Sequence, residues 1–398
     1  MNAAGKLFIL TMVLSLVSPI SQAQKVPDAE WMNLNTQYRD LMQAGKFDEA
    51  LPLAQHELEL AQRKNDASLG ASLSNIADAR CAQGQFADAL QYYRRAAAAT
   101  EKSYGQSHPN IAGDLVKMGA LFLAGEQNDQ ADALFKRAQG INDKSAGSSH
   151  IDAAAILYQI AGIYAGYNQL PQAERLYQRA LALREAAFGP EHAEVGNVLV
   201  KLADLYRAQN QFTQAEPLYQ RALAIQEKVF GTTRPETGAT LNALATLYVA
   251  QKQYAAAEPL ATRALDIFEK TQGPNDQSVA ACLNNLSKIS RAQRQFAQAQ
   301  TYVRRSLAIT ERNLGPDNPD VAARLNELAI LLGMDGNFAQ AEPLVTRALA
   351  IYEKTLGPTH PNVAVTLANL AKVETALGHT SDAEAADKRA SSILAMKP

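Results

Sequence analysis

Residues 212–253 read FTQAEPLYQRALAIQEKVFGTTRPETGATLNALATLYVAQKQ, and Tyr254 begins the same pattern again. Phe212 and Tyr254 belong to a series of anchors at 86, 128, 170, 212, 254, 296, 338 and 380, each 42 residues from the last, with Phe47 standing 39 before the first. Three residues after every one of these nine anchors comes an alanine: Ala50, Ala89, Ala131, Ala173, Ala215, Ala257, Ala299, Ala341 and Ala383. Nine residues after eight of them comes an arginine, from Arg95 to Arg389, with His56 in that place in the first repeat. A glycine marks the far end of the pattern at 105, 147, 189, 231, 273, 315 and 357. Three residue classes holding one register over most of the chain define a tandem array in which each repeat is one supersecondary unit.

Within a repeat, stretches such as 214–229 and 240–251 are rich in Ala, Leu, Gln and Glu, with apolar residues at three- and four-residue intervals and no β-branched alternation. This predicts two helices per repeat, A and B. The connection around the anchor, as in 208–212, is short enough to hold the pair antiparallel. The longer connection, as in Gly315-Pro316-Asp317-Asn318-Pro319, stops one helix and starts the next. Pro217, Pro259 and Pro343 lie five residues after their anchors. That places them within or just beyond the first turn of the B helix, where loss of an N–H costs least. Alanines at fixed places predict close helix approach, with large neighbours such as Tyr219, Leu244 and Tyr248 covering them.

Composition narrows the function classes. The chain has 398 residues, 47% hydrophobic, with 38 Lys+Arg against 40 Asp+Glu. A disordered polymer is excluded, and a formal charge of −2 gives no basic surplus for nucleic acid or acidic membranes. Two cysteines make neither a disulfide framework nor a thiolate metal site. Cys81 and Cys282 lie in A helices five repeats apart, too far for a bridge, and are expected as small buried residues. At the N-terminus, Lys6, the apolar run 7–20 and Ser21-Gln22-Ala23 have the order of a cleavable secretory signal, giving Gln24 as the mature start and a periplasmic or extracellular destination. The run is shorter than the ~20 residues needed to span a bilayer, so no membrane span is expected after cleavage. The expected organisation is a signal peptide at 1–23, a divergent N-terminal capping repeat at 24–66 and tandem repeats over 67–398, the last, from about 361, a C-terminal cap.

Leu241, Leu244, Ala245, Tyr248, Ala257 and Ala264 occupy the signature places of the tetratricopeptide repeat (TPR). The 42-residue period and segments such as HPNVAVTLANLA (360–371), TLNALATLY (240–248) and QAEPLYQRALAIQEKVFG (214–231) resemble its kinesin light chain class. The resemblance covers nearly all of the mature chain. It implies an all-α, right-handed superhelical solenoid of antiparallel helix pairs and a scaffold that binds proteins or peptides. Departures fall at both ends: Gln37 and Tyr38 in the first repeat, Glu374 and Thr380 in the ninth, which read as caps meeting solvent.

The resemblance also implies that A helices line a concave face on which asparagines clasp the backbone of an extended peptide. Asn242, Asn284 and Asn326 each follow a signature leucine and stand 42 apart. An amide offers both donor and acceptor to a peptide bond whatever its side chain. Lys288 and Arg291 lie on the face of Asn284; Asn197, Asp204 and Arg207 are placed likewise in the fifth repeat, and Lys372 extends the positive character into the ninth. The reading is a groove for an extended or acidic partner segment; the alternative is a merely solvated polar face. The arginine series belongs to the B helices among many acids, so structural pairing is expected there, not phosphate binding. His108, His150, His192 and His360 recur three residues after the loop glycine, but one per repeat cannot build a zinc site, and a helix-start role is expected.

No phosphate-binding Gly-rich loop, GxSxG or CxxC occurs, and His56-Glu57 lacks the second histidine of a zincin motif. A binding module without catalytic residues, cofactor or metal is therefore expected. A structural component that self-associates through its ends or outer face is the competing class, and the oligomeric state is open. Finally, Gly140 and the polar run 142–149 are expected to cut the third repeat's B helix short and form a hinge. Ala257→Leu overpacks a helix contact and is expected to lower stability by ~1–3 kcal/mol, read as a lower midpoint in thermal melting.

Overall fold

The computed structural model describes residues 29–64, 68–145 and 150–395. The signal-peptide reading lies outside them. Among the described residues every regular element is a helix. The A and B helices alternate as α1 (Ala29–Gln43) and α2 (Phe47–Lys64), α3 (Leu69–Ala82) and α4 (Phe86–Tyr104), α5 (Pro109–Ala124) and α6 (Asn128–Ser145), then α7 (His150–Gly166) and α8 (Leu170–Phe188). They continue as α9 (Ala193–Ala208) and α10 (Phe212–Phe230), α11 (Pro235–Ala250) and α12 (Tyr254–Thr271), and α13 (Gln277–Ala292) and α14 (Phe296–Leu314). The last four are α15 (Pro319–Met334), α16 (Phe338–Leu356), α17 (Pro361–Leu377) and α18 (Thr380–Ala395). The chain forms two compact units, one ending at Leu205 and one beginning at Tyr206. Within each, a helix packs on its antiparallel partner and on the next helix in sequence.

Backbone conformation explains the punctuation. In all nine short turns the residue two before the anchor is left-handed, with φ between 59° and 85°. Glycine fills this place at 45, 84, 336 and 378, whereas Glu126, Asn168, Asn210, Lys252 and Arg294 bear the strain of a side chain there. The glycines ending the B helices serve another purpose. Gly105, Gly189, Gly231, Gly315 and Gly357 combine φ of 85–90° with ψ of 156–175°, a region only glycine occupies readily. Just beyond, the ring Nδ1 of His108, His192 and His360 accepts the N–H two residues on at 3.1–3.3 Å and caps the next A helix. Asp276 and Asn318 do the same at 2.8 Å. His108, His192 and His360 are thus N-caps, a role that needs a ring nitrogen without a proton as acceptor.

The alanines three residues after the anchors are fully buried in eight repeats, and Ala383 nearly so. A second small position seven residues later, from Ala96 to Ala390 with Ser306 among them, is equally enclosed. Between them Tyr93, Phe135, Tyr177 and Tyr219 are large side chains of the B helices and are themselves buried. Gly119 is the extreme case: a Cβ there would lie 2.4 Å from the Phe135 ring. Pro52, Pro217, Pro259 and Pro343 fall in the second turn of their helices, not the first, so each removes one interior helical hydrogen bond.

The arginine series joins successive B helices. Arg263, Arg305, Arg347 and Arg389 each reach the glutamate 36 residues earlier, Glu227, Glu269, Glu311 and Glu353, at 2.5–2.7 Å. The first three also donate to loop carbonyls of Thr232, Pro274 and Pro316 at 3.2 Å. Arg137 and Glu101 repeat the ion pair in the first unit at 3.3 Å.

Three sequence expectations are corrected. Tyr38 and Glu374, read as cap residues meeting solvent, are 3% and 7% exposed. The Tyr38 hydroxyl donates to the Asn75 carbonyl at 2.8 Å and so ties the first repeat to the second. Gly140 does not cut its helix: α6 runs on to Ser145, because one glycine costs only ~1 kcal/mol within a helix. Residues 146–149 of the expected hinge lie outside the described residues. Gly231→Ala is expected to destabilise by ~1–3 kcal/mol, and Arg294→Gly to stabilise by ~0.5–1 kcal/mol by relieving the left-handed strain. Denaturant unfolding of the two variants should move the midpoint in opposite directions.

Candidate functional site

The polar residues on the A helices meet across repeats in a 43-residue register, one residue longer than the repeat. Asn242 Oδ1 accepts from Asn285 Nδ2 at 2.8 Å, and Asn326 Oδ1 from Asn369 Nδ2 at 3.1 Å. Asn284 Oδ1 accepts from the Arg324 guanidinium. Asn285, 3% exposed, also donates to Thr246 Oγ1 at 2.9 Å. The three ladder asparagines thus spend their oxygens on the neighbouring repeat. Their Nδ2 groups make no hydrogen bond within the chain among the described residues, and all three side chains are half-buried. What the ladder presents outward is a row of donors, the complement of carbonyl oxygens on an extended chain.

Cations gather beside it. Lys288, on α13, lies near Arg291 of its own helix and near Arg324 and Glu327 of α15; Glu327 is 3.3 Å from Arg324 and accepts from Ser287 Oγ at 3.3 Å. Burial lowers the Lys288 ammonium pKa, and the two guanidiniums add to that against the opposing pull of Glu327. A desolvated positive surplus of this kind favours an anion. Lys372 is exposed three residues beyond Asn369. Arg207 lies in the same second unit, where its Nε donates to the buried Tyr219 hydroxyl at 3.2 Å. Asn197 and Asp204 are half-buried on α9 in the first unit.

In the first unit the equivalent register holds a buried charge network that the sequence reading missed. Lys117 Nζ, in a side chain 6% exposed, contacts both oxygens of Asp78 at 2.8 Å and Ser74 Oγ at 3.3 Å. Tyr93 donates to the same aspartate. Ser74 also donates to the buried Asp114 at 2.8 Å. The signal was available: Ser74 and Lys117 are 43 apart, like Asn242 and Asn285. Nearby, fully buried Glu57 accepts from Asn75 at 2.7 Å and Asn35 at 3.4 Å, so the partial zincin motif is a packing acid. Burial raises Glu57 and Asp114 to about 7 against the hydrogen bonds that favour their anions. Both cysteines are free and buried, and burial pushes the Cys282 thiol to about 12. Among the described residues no helix is long and apolar enough to cross a membrane.

A family profile for the tetratricopeptide repeat matches in eight overlapping segments running from 39–102 to 325–395. The chain belongs to the tetratricopeptide repeat family. No curated protein shows significant sequence similarity to it. Among solved structures, the apo form of RapI is similar over 92% of this chain and 97% of its own, with a TM-score of 0.65 at 14% identity, a likeness of fold alone. Two kinesin light chain-type proteins are nearer in sequence. BtubC (BKLC) of P. vanneervenii is 27% identical over 57% of this chain and 90% of its own, with a TM-score of 0.49. The kinesin light chain TPR-like repeats from Podosopora anserina are 27% identical over 52% and 97%, with a TM-score of 0.45.

The buried acids set a pH dependence. In the unfolded chain aspartate and glutamate lose their protons near 4, whereas folded Asp114 and Glu57 hold theirs to about 7. Their contribution is fully present below ~4 and is lost as the pH rises to ~7. Asp114→Asn removes that slope, so relative to the parent it should be more stable at pH 8 than at pH 5. Hydrogen exchange in α3–α5 at the two pH values measures it.

Proposed function

We propose that this protein is an exported, non-catalytic TPR scaffold whose second unit binds an extended, acidic segment of a partner protein along the A helices. The observation that carries the reading is the division of labour within Asn242, Asn284 and Asn326: each oxygen is held by the next repeat while the amide N–H groups remain available. A row of donors repeating with the helix pairs suits main-chain carbonyls, which makes recognition tolerant of sequence. Lys288, Arg291 and Arg324 add a preference for a carboxylate, strengthened because part of their desolvation is already in place. Export rests on the N-terminal pattern Lys6, 7–20 and Ser21–Ala23.

The mature chain, screened against a random linear-peptide library, should enrich acidic extended peptides. Asn284→Ala with Asn326→Ala should weaken the best peptide by about tenfold or more, the scale of two lost hydrogen bonds. Lys288→Ala should weaken it further and flatten its salt dependence. A library yielding no binder, together with light scattering that shows a discrete oligomer indifferent to these substitutions, would favour the self-assembling component instead.

A further inference from the structure

In two of the interior repeats one A-helix position sends a phenol to a carboxylate near the start of the preceding B helix: Tyr164 donates to Asp132, and Tyr248 to Glu216 at 2.9 Å. The ninth repeat has Glu374 at that position, and the carboxylate it meets is Glu342. A donor has been replaced by a second acceptor. Where Gln253 stands five residues after Tyr248, the ninth repeat has His379, whose Nδ1 is 2.7 Å from Glu374 Oε2. One ligand atom from each of Glu342, Glu374 and His379 lies within 4.8 Å of the other two.

The charges in this cluster do not balance. Glu374 is 7% exposed, and Glu342 has no hydrogen-bond or ion-pair partner among the described residues. One imidazole, even when protonated, neutralises only one of two converging carboxylates, and Asp382 adds another negative charge beside it. Compared with Tyr248 and Gln253 in the sixth repeat, Glu374 and His379 both bring metal-ligand chemistry to a glutamate, Glu342, that stands where Glu216 does. We propose that Glu342, Glu374 and His379 form a binding site for a divalent transition ion of the zinc class, with three protein ligands and the remaining position open to water. One nitrogen and two carboxylate oxygens suit such an ion at ~2.0–2.2 Å; calcium would require 6–8 oxygens. The ligands come from α16, from the end of α17 and from the turn into α18, so the ion ties the terminal repeat to its neighbour. The half-exposed His379 leaves a path for entry.

The test uses untagged, chelator-stripped full-length protein titrated with zinc chloride by calorimetry and followed by thermal melting, with cobalt(II) as a spectroscopic probe. One ion per chain, a raised melting midpoint and visible cobalt bands of low-coordinate character are expected. Glu342→Gln and His379→Gln should each weaken uptake by about tenfold or more while leaving the metal-free melt close to the parent's. No saturable uptake, or uptake unchanged by both substitutions, overturns the proposal. Should His379→Gln disturb the fold, Glu342→Gln decides, because that side chain supports no other contact. The outcome is independent of peptide binding in the A-helix groove.

Discussion

The fold depends on how closely two helices approach at an alanine. Three residues beyond each short turn the B helix presents a methyl group and nothing more, enclosed completely in eight of nine repeats. The backbone of the neighbouring helix fills the space a longer side chain would take. The partner helices can approach so closely that at Gly119 the Phe135 ring leaves no room even for a methyl. Because the constraint acts between neighbours, it reproduces itself along the chain without needing a central core.

Two further devices hold the register that the alanines permit. Turns take a left-handed residue at one place and an extended positive-φ glycine at another, so chain direction at each helix end is set by backbone conformation as well as by packing. Arginine–glutamate pairs then join five of the B helices to the one before, and in three of them the guanidinium also meets the intervening loop. Each such pair is partly exposed and contributes modestly. Their recurrence matters more than their individual strength, since a slip of one repeat against the next would break the pair at each of these joints.

On the A helices the side chains that hold neighbouring repeats together are also the ones proposed to meet a partner. Asparagine suits this because its two ends differ: the oxygen anchors to the next repeat, which fixes the direction in which the amide protons point. The first unit spends the same register on a buried lysine between acids, which rigidifies the joint between repeats but leaves little polar capacity for a ligand. Equivalent positions in one repeat array therefore acquire opposite roles through substitution of a few polar residues.

The period, the two helices per repeat, the short turns and the small-residue contacts were all legible in the sequence, because each is a local or nearest-neighbour property that recurs and so stands out from noise. The candidate polar positions were legible as well, down to the asparagines 42 residues apart. Which atoms of those residues face a neighbour was not. Partners such as Asn285, Asn369 and Lys117 follow a 43-residue offset from Asn242, Asn326 and Ser74, while Arg324 reaches Asn284 across 40, and such offsets come from the stagger of adjacent A helices, a property of packing. Burial of Tyr38 and Glu374 likewise depended on what covers a terminal helix. Sequence by itself determined the repeating unit, since periodic spacing maps directly onto a helix face; only the tertiary structure decided which polar groups are satisfied and which remain available, since that depends on distances between side chains from different repeats.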